Sequence, residues 1–198
     1  MSDALLYKYR GIQNFKNFVD ILMKNRLYAS VYKALNDPME GQYYYNKGEL
    51  NKHLLRKIRD DKGDLKICSL SRKKDNELMW SHYADGHHGI AIGVEIDREA
   101  YDVRPVDYTG LAYLRGNEIE HDSARQILSH KLDVWRYEEE ERVFVSGGDF
   151  VNVTVREVIA GRVMSNYDFG LIRDLIYKIN PAIKLIKAAT FMDTTEIL

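Results

Sequence analysis

The sequence has one cysteine, three prolines and a net charge of -1 over 198 residues. Cys68 alone builds neither an internal disulfide framework nor a cysteine-based zinc site. A lone thiol suits a reducing, cytoplasmic setting. Three prolines leave little room for a long disordered linker. Lys plus Arg number 29 and Asp plus Glu 30, so no global basic charge points to nucleic acid or an acidic membrane, although a local patch remains open. No stretch approaches the roughly 18 apolar residues of a membrane-spanning helix. Met1 to Arg10 carries no apolar signal region, and no membrane partner is expected. The phosphate loop, the dinucleotide glycine fingerprint, the H-E-x-x-H zinc helix and the G-x-S-x-G elbow are all missing.

What is present is an ordinary globular balance, with 45% hydrophobic and 30% charged residues. The length suits a single domain, 1–198, with a sizeable core. Tyrosine occurs 14 times, enough to offer faces for stacking on planar groups. Period-two alternation predicts strands at Leu5 to Arg10, Leu27 to Ser30 and Leu65 to Ser71, with further strands at Gly89 to Ile96 and Val103 to Tyr108. Glu140 to Ser146 and Phe150 to Val158 read as a hairpin around Ser146-Gly147-Gly148-Asp149. Helical spacing covers Asn14 to Asn25, Glu49 to Arg59, Asn76 to Tyr83 and Asp168 to Ile179, the last ended by Asn180-Pro181. Asp60 to Asp64 reads as a polar turn. A helix over Glu118 to Lys131 would be capped by Asn117, and Ala182 to Phe191 closes the chain as a strand or short helix. The order is not a regular βαβα series. It predicts an α+β fold of mostly antiparallel sheets with inserted helices.

Four clusters carry chemistry. Tyr7 and Tyr9 share one face of the first strand, and Lys8 and Arg10 share the other, where two cations suit a diphosphate. Asn36-Asp37-Pro38-Met39-Glu40 has turn chemistry, with Asn36 a candidate ligand contact. Ser69 and Ser71 share a strand face and precede Met79, Trp80 and Tyr83 on a helix, where Met79 and Trp80 also suit core packing. The richest segment is Trp135 to Arg142. In a strand, Glu138, Glu140 and Arg142 lie on one face. The bland reading is a solvated charge run. The functional one is a cleft carboxylate, oriented by Arg142, that bonds a sugar hydroxyl or stabilises an oxocarbenium ion. His82, His87 and His88 match no metal-ligand spacing, and no metal is expected.

Taken in order, these motifs resemble the bacterial and phage-associated family catalogued as domain of unknown function number 2971. The carriers are Leu6 to Tyr9, Asn36 to Glu40, Ser69 to Ser71 continuing to Met79 through Ala84, and Trp135, Tyr137, Glu138, Glu140 and Arg142. More remotely, the layout resembles the ADP-ribosyltransferase-like fold. That resemblance places Lys8 or Arg10 at the early cationic position, Ser69 or Ser71 on the middle strand, and Glu138 or Glu140 as the catalytic carboxylate. It implies NAD as substrate, with its phosphates on Lys8 or Arg10 and its nicotinamide or ribose against Trp80 or Tyr83. It implies transfer to a protein, a nucleic-acid base or water, in toxicity or phage defence. A non-catalytic nucleotide-, nucleic-acid- or protein-binding module of the same fold is the alternative. A metal-dependent hydrolase using the three histidines is a third reading. No heptad seam marks a coiled-coil dimer, and the oligomeric state stays open.

Overall fold

The structure, a computed structural model, describes residues 4–115 and 122–188. In chain order its elements are β1 (Leu6–Arg10), α1 (Phe15–Lys24), β2 (Arg26–Tyr28), β3 (Ser30–Val31), β4 (Tyr43–Tyr45), α2 (Lys52–Asp64), β5 (Leu65–Ser71) and α3 (Glu77–Tyr83). Then come β6 (Ile90–Glu95), β7 (Asp102–Pro105), β8 (Ala112–Leu114), α4 (Ser123–Ile127), a 3-10 turn (Asp133–Glu138) and β9 (Glu140–Ser146). The chain continues with β10 (Phe150–Asn152), β11 (Thr154–Ala160), α5 (Asn166–Ile179) and β12 (Lys184–Lys187). The fold is α+β with mostly antiparallel pairing, as the sequence predicts. The Asn117 cap and the Phe191 end of the last expected element lie outside the described residues.

Two compact units form, each discontinuous in sequence. The first is drawn from the segment ending at Arg26, from Lys73–Glu95 and from the segment starting at Val153. Its sheet runs β12-β11-β6-β1, with only the β11–β12 pair parallel. Helix α1 buries Phe18, Ile21 and Leu22, the i, i+3, i+4 stripe that a core-facing helix needs. It stops at Asn25, left-handed at φ 49, a conformation asparagine tolerates. Asn76 caps α3 through Leu78 and Met79, and Ser165 caps α5 through Asp168. Gly89 has no alternative. A Cβ there would sit 2.3 Å from the Arg10 carbonyl oxygen, closer than any contact allows.

The second unit comprises Leu27–Arg72 and Ile96–Asn152. Its main sheet is β5-β9-β7 with β3 on β5, all antiparallel. A parallel pair, β4 and β8, stands apart. Helix α2 packs Ile58, Leu54 and Leu55 with Ala112, Leu114 and Ile127. Asn51 caps it by accepting from the Leu54 amide at 3.0 Å.

Three expectations change here. The polar stretch Asp60 to Asp64 is helical, not a turn, because Ile58 and Lys62, one turn apart, are both buried on the same face. The turn at Ser146 to Asp149 does not close a hairpin. β10 pairs with β2, the Asp149 carbonyl accepts from the Ala29 amide at 2.8 Å, and its carboxylate meets Lys66. Finally, β9 begins at Glu140. Glu139 is left-handed at φ 42 and ends the 3-10 turn, so Glu138 does not belong to the strand face of Glu140 and Arg142.

Candidate functional site

The acidic motif folds into a buried ion cluster in the second unit. Strand β9 pairs Arg142 with Ser69 and Glu140 with Ser71 on β5. That register brings the serine motif beside the acidic one, and the Ser71 hydroxyl donates to the Glu138 carbonyl oxygen at 2.7 Å. The Arg142 side chain is fully buried. Its guanidinium grips Glu40 with both terminal nitrogens, at 2.5 and 2.8 Å. Its Nε donates to Glu140 at 2.9 Å, and it also donates to the Leu128 carbonyl oxygen. Lys131 bridges Glu138 at 2.5 Å and Glu140 at 2.8 Å. Three carboxylates thus share two cations out of contact with water. The Tyr108 hydroxyl accepts from the Glu140 amide at 2.7 Å.

The electrostatics follow from that geometry. Burial pushes the Glu140 carboxyl up, but the charges of Arg142 and Lys131 and their hydrogen bonds outweigh it and hold it far below the carboxylate range. Burial pushes Lys131 down, and Glu140 and Glu138 more than reverse it, so its ammonium holds its proton more tightly than usual. Such a cluster is a fixed ionic core. A general acid or base needs a proton affinity matched to its working pH and a path to substrate. Glu138 and Glu140 are 4% and 3% exposed, so both lack that path.

Sequence reasoning missed Glu40 as a site residue, and missed Lys131 entirely. Glu40 reaches Arg142 from 102 positions away, a distance no local spacing reveals. Its only signal is its place at the end of the Asn36 to Glu40 turn, where the Asp37 carboxylate accepts from the Met39 amide at 2.9 Å and fixes the exit of the chain. Asn36 itself is exposed. Ser69 is half-buried and Ser71 is buried.

In the first unit the resemblance-implied contacts divide between two faces. The Tyr9 ring meets Trp80 edge-on at 5.2 Å, and its hydroxyl donates to the Lys73 carbonyl oxygen at 2.8 Å. Helix α3 therefore packs on the tyrosine face of β1. Strand alternation puts Lys8 and Arg10 on the opposite face. A nicotinamide held by Trp80 and a diphosphate held by Lys8 or Arg10 would lie on opposite sides of one strand. Trp80 is also core, 3% exposed, with its Nε1 donating to the Lys74 carbonyl oxygen at 3.0 Å. Tyr83 is half-buried beside the His82 ring, at 6.3 Å. The residues drawn for NAD do not gather into the arrangement that the resemblance implies, and no step is derived through it.

Arg10 differs from the other cations. Its Nε is buried with no hydrogen-bond partner, and burial alone lowers its proton affinity. The histidines are occupied locally. His87 stacks on Trp80 at 5.9 Å and lies 3.3 Å from a Glu77 oxygen. His88 Nδ1 is 2.9 Å from the Asp85 carbonyl oxygen. Among the described residues no group of three histidine, cysteine or acidic side chains is placed to hold a metal ion, and no helix is long and apolar enough to cross a membrane. No family model, curated protein or solved structure matches this chain.

Proposed function

We propose that the chain is a non-catalytic nucleotide-binding module rather than an NAD-dependent transferase working through Glu138 or Glu140. The observation that carries this reading is the closed pairing of Glu40, Glu138 and Glu140 with Lys131 and Arg142. A carboxylate bound to two buried cations has no spare lone pair for a ribose hydroxyl, and stripping it of them is costly. The motif that the resemblance makes catalytic serves here to tie a strand, a turn and a helix exit together. Arg10 supports the binding half of the reading. A buried guanidinium nitrogen without an acceptor gains a strong, charge-assisted bond when a phosphate arrives.

The second reading, NAD transfer or hydrolysis, keeps one observation in its favour. The serine and acidic motifs are direct strand neighbours, Ser71 opposite Glu140. One experiment separates the two. Purified protein is offered NAD, ATP and a dinucleotide in calorimetry, and nicotinamide release is followed with protein and nucleic-acid acceptors present. Binding without nicotinamide release, weakened at least tenfold by Arg10→Ala, is the expected result. Nicotinamide release that Glu140→Gln abolishes, in protein still folded by circular dichroism, establishes the transferase instead. Failure to bind any of the three nucleotides overturns the binding reading.

A further inference from the structure

A second cationic site lies in the second unit, away from the ion cluster. Helix α2 carries Lys52, Arg56 and Arg59 at i, i+4 and i+7, followed by Lys62, so the four cations form one stripe. The stripe faces β4, and between them is a cavity of 470 Å³ lined by Tyr43, Lys52, Leu55, Arg56, Arg59 and Lys62. Four of these six residues are cations and none is a carboxylate. That volume is in the ordinary range for a small-ligand site.

Lys62 is the informative member. Its side chain is 6% exposed, yet no carboxylate answers it. Its ammonium donates to the Gly41 carbonyl oxygen at 2.6 Å and lies over the rings of Tyr43 at 4.9 Å and Tyr32 at 5.3 Å. Burial, and then the charge of Lys33, push its proton affinity down. A buried ammonium held by a carbonyl and two ring faces is short of an anion. The other cavity of similar size, 390 Å³ beside α4, differs in this respect. Its Arg104 already bonds Asp102 and Asp122, at 2.8 and 2.5 Å.

The aromatic surroundings indicate what the anion is attached to. Tyr43 and Tyr45 lie on one face of β4 with ring centroids 6.0 Å apart. Tyr45 is 40% exposed, and on the other face Tyr44 and its neighbour Tyr113 are 59% and 45% exposed. From Lys52 to Lys62 the stripe rises about 15 Å along the helix, longer than a single phosphate needs. Open tyrosine rings beside a line of cations form a stacking platform along a charged track, which is the recognition chemistry of single strands. The acids nearby are few. Arg59 touches Asp60 at 3.4 Å, and Lys57, outside the cavity lining, takes Asp61.

We propose that the α2–β4 cavity binds single-stranded nucleic acid, seating a backbone phosphate against Lys62, Arg56 and Arg59 and stacking a base on Tyr45. The site shares no residue with Arg10 or with the carboxylate cluster, so it stands or falls independently of the function proposed above.

The test is fluorescence anisotropy with a labelled 20-nucleotide poly-dT and its poly-rU counterpart, across a salt series. The full chain is compared with a Lys52→Ala, Arg56→Ala, Arg59→Ala variant and with Tyr45→Ala, all checked for fold by circular dichroism. Wild type binds, and its affinity falls with salt. The triple variant binds at least tenfold more weakly, with its salt slope reduced by about 2, from a loss of about 0.7 per phosphate contact. Tyr45→Ala loses about tenfold at every salt concentration, since stacking is not screened. Arg56→Lys, Arg59→Lys retains most of the binding. No binding of either oligonucleotide, or binding that the triple variant leaves unchanged, overturns the proposal. So does equal affinity for free dTMP or UMP, which makes the cavity a mononucleotide site, or capture by anionic vesicles in preference to the oligonucleotides.

Discussion

Arg142 is the residue on which the second unit turns. It is the largest fully buried side chain in the molecule, and it answers two carboxylates on different segments of the chain. Removing one partner of a buried pair costs about 3–5 kcal/mol, because the charge left behind stays desolvated. Arg142→Ala therefore lowers the urea midpoint by that equivalent or abolishes folding. Arg142→Lys recovers only part, since an ammonium cannot grip Glu40 with two parallel bonds. Adding Glu40→Gln to Arg142→Met restores some of the loss by removing the orphaned charge. If Arg142→Ala leaves the urea midpoint unchanged, the cluster is not the structural core described here. Glu138 and Glu140 lose their catalytic reading for the same reason. Their charges are already spoken for inside the protein.

At the scale of elements, most starts and stops were legible because each is enforced by local chemistry. Strand β5 matches its sequence reading from Leu65 to Ser71, as does β9 from Glu140 to Ser146, since near-continuous apolar runs leave little choice of conformation. Helix α3 begins after Asn76 because that side chain takes two backbone amides. The misreadings share a cause. Asp60 to Asp64 looks like a turn by composition, and the buried Lys62 overrides a glycine whose helical cost is only about 1 kcal/mol. Ser146 to Asp149 has hairpin chemistry, but β10 finds β2 as its partner, from over 120 residues away in the sequence. Site legibility divides in the same way. Glu140 and Arg142 sit two apart and share a visible face, whereas Glu40 and Lys131 join them only through long-range folding. The buried face of α2 makes a prediction of its own. Asn51→Ala removes the one side-chain cap of α2 and costs about 1 kcal/mol in urea denaturation. Gly41→Ala costs more, because φ is +75 there and the new Cβ would meet the Tyr32 ring at 2.8 Å. An Asn51→Ala variant as stable as wild type shows that α2 is held by its packing alone.

For the molecule as a whole, the ion cluster sets the limits of pH tolerance, and the sign can be worked out for each edge. Glu140 has its carboxyl depressed from an ordinary value of 4.5. The unfolded chain therefore takes up protons at a higher pH than the folded one does. Its contribution is complete above about pH 4.5 and is lost progressively as pH falls toward the folded value. Lys131 is shifted the other way, up from an ordinary 10.5. Its contribution is complete below that value and fades as pH rises through it. The two edges leave a plateau across the neutral range, with no histidine in the cluster to interrupt it. Urea midpoints measured from pH 3 to pH 8 should fall steeply on the acid side for wild type. Glu140→Gln is less stable on the plateau because Arg142 and Lys131 then share fewer negative charges. Its acid slope is also shallower, since the proton that drives the wild-type loss has nowhere to bind. Parallel acid slopes for the two proteins would place the acid sensitivity elsewhere and return Glu140 to the pool of groups that titrate normally. That result would reopen the catalytic reading of Glu140, because a carboxylate with an ordinary proton affinity is one that its neighbours have left available.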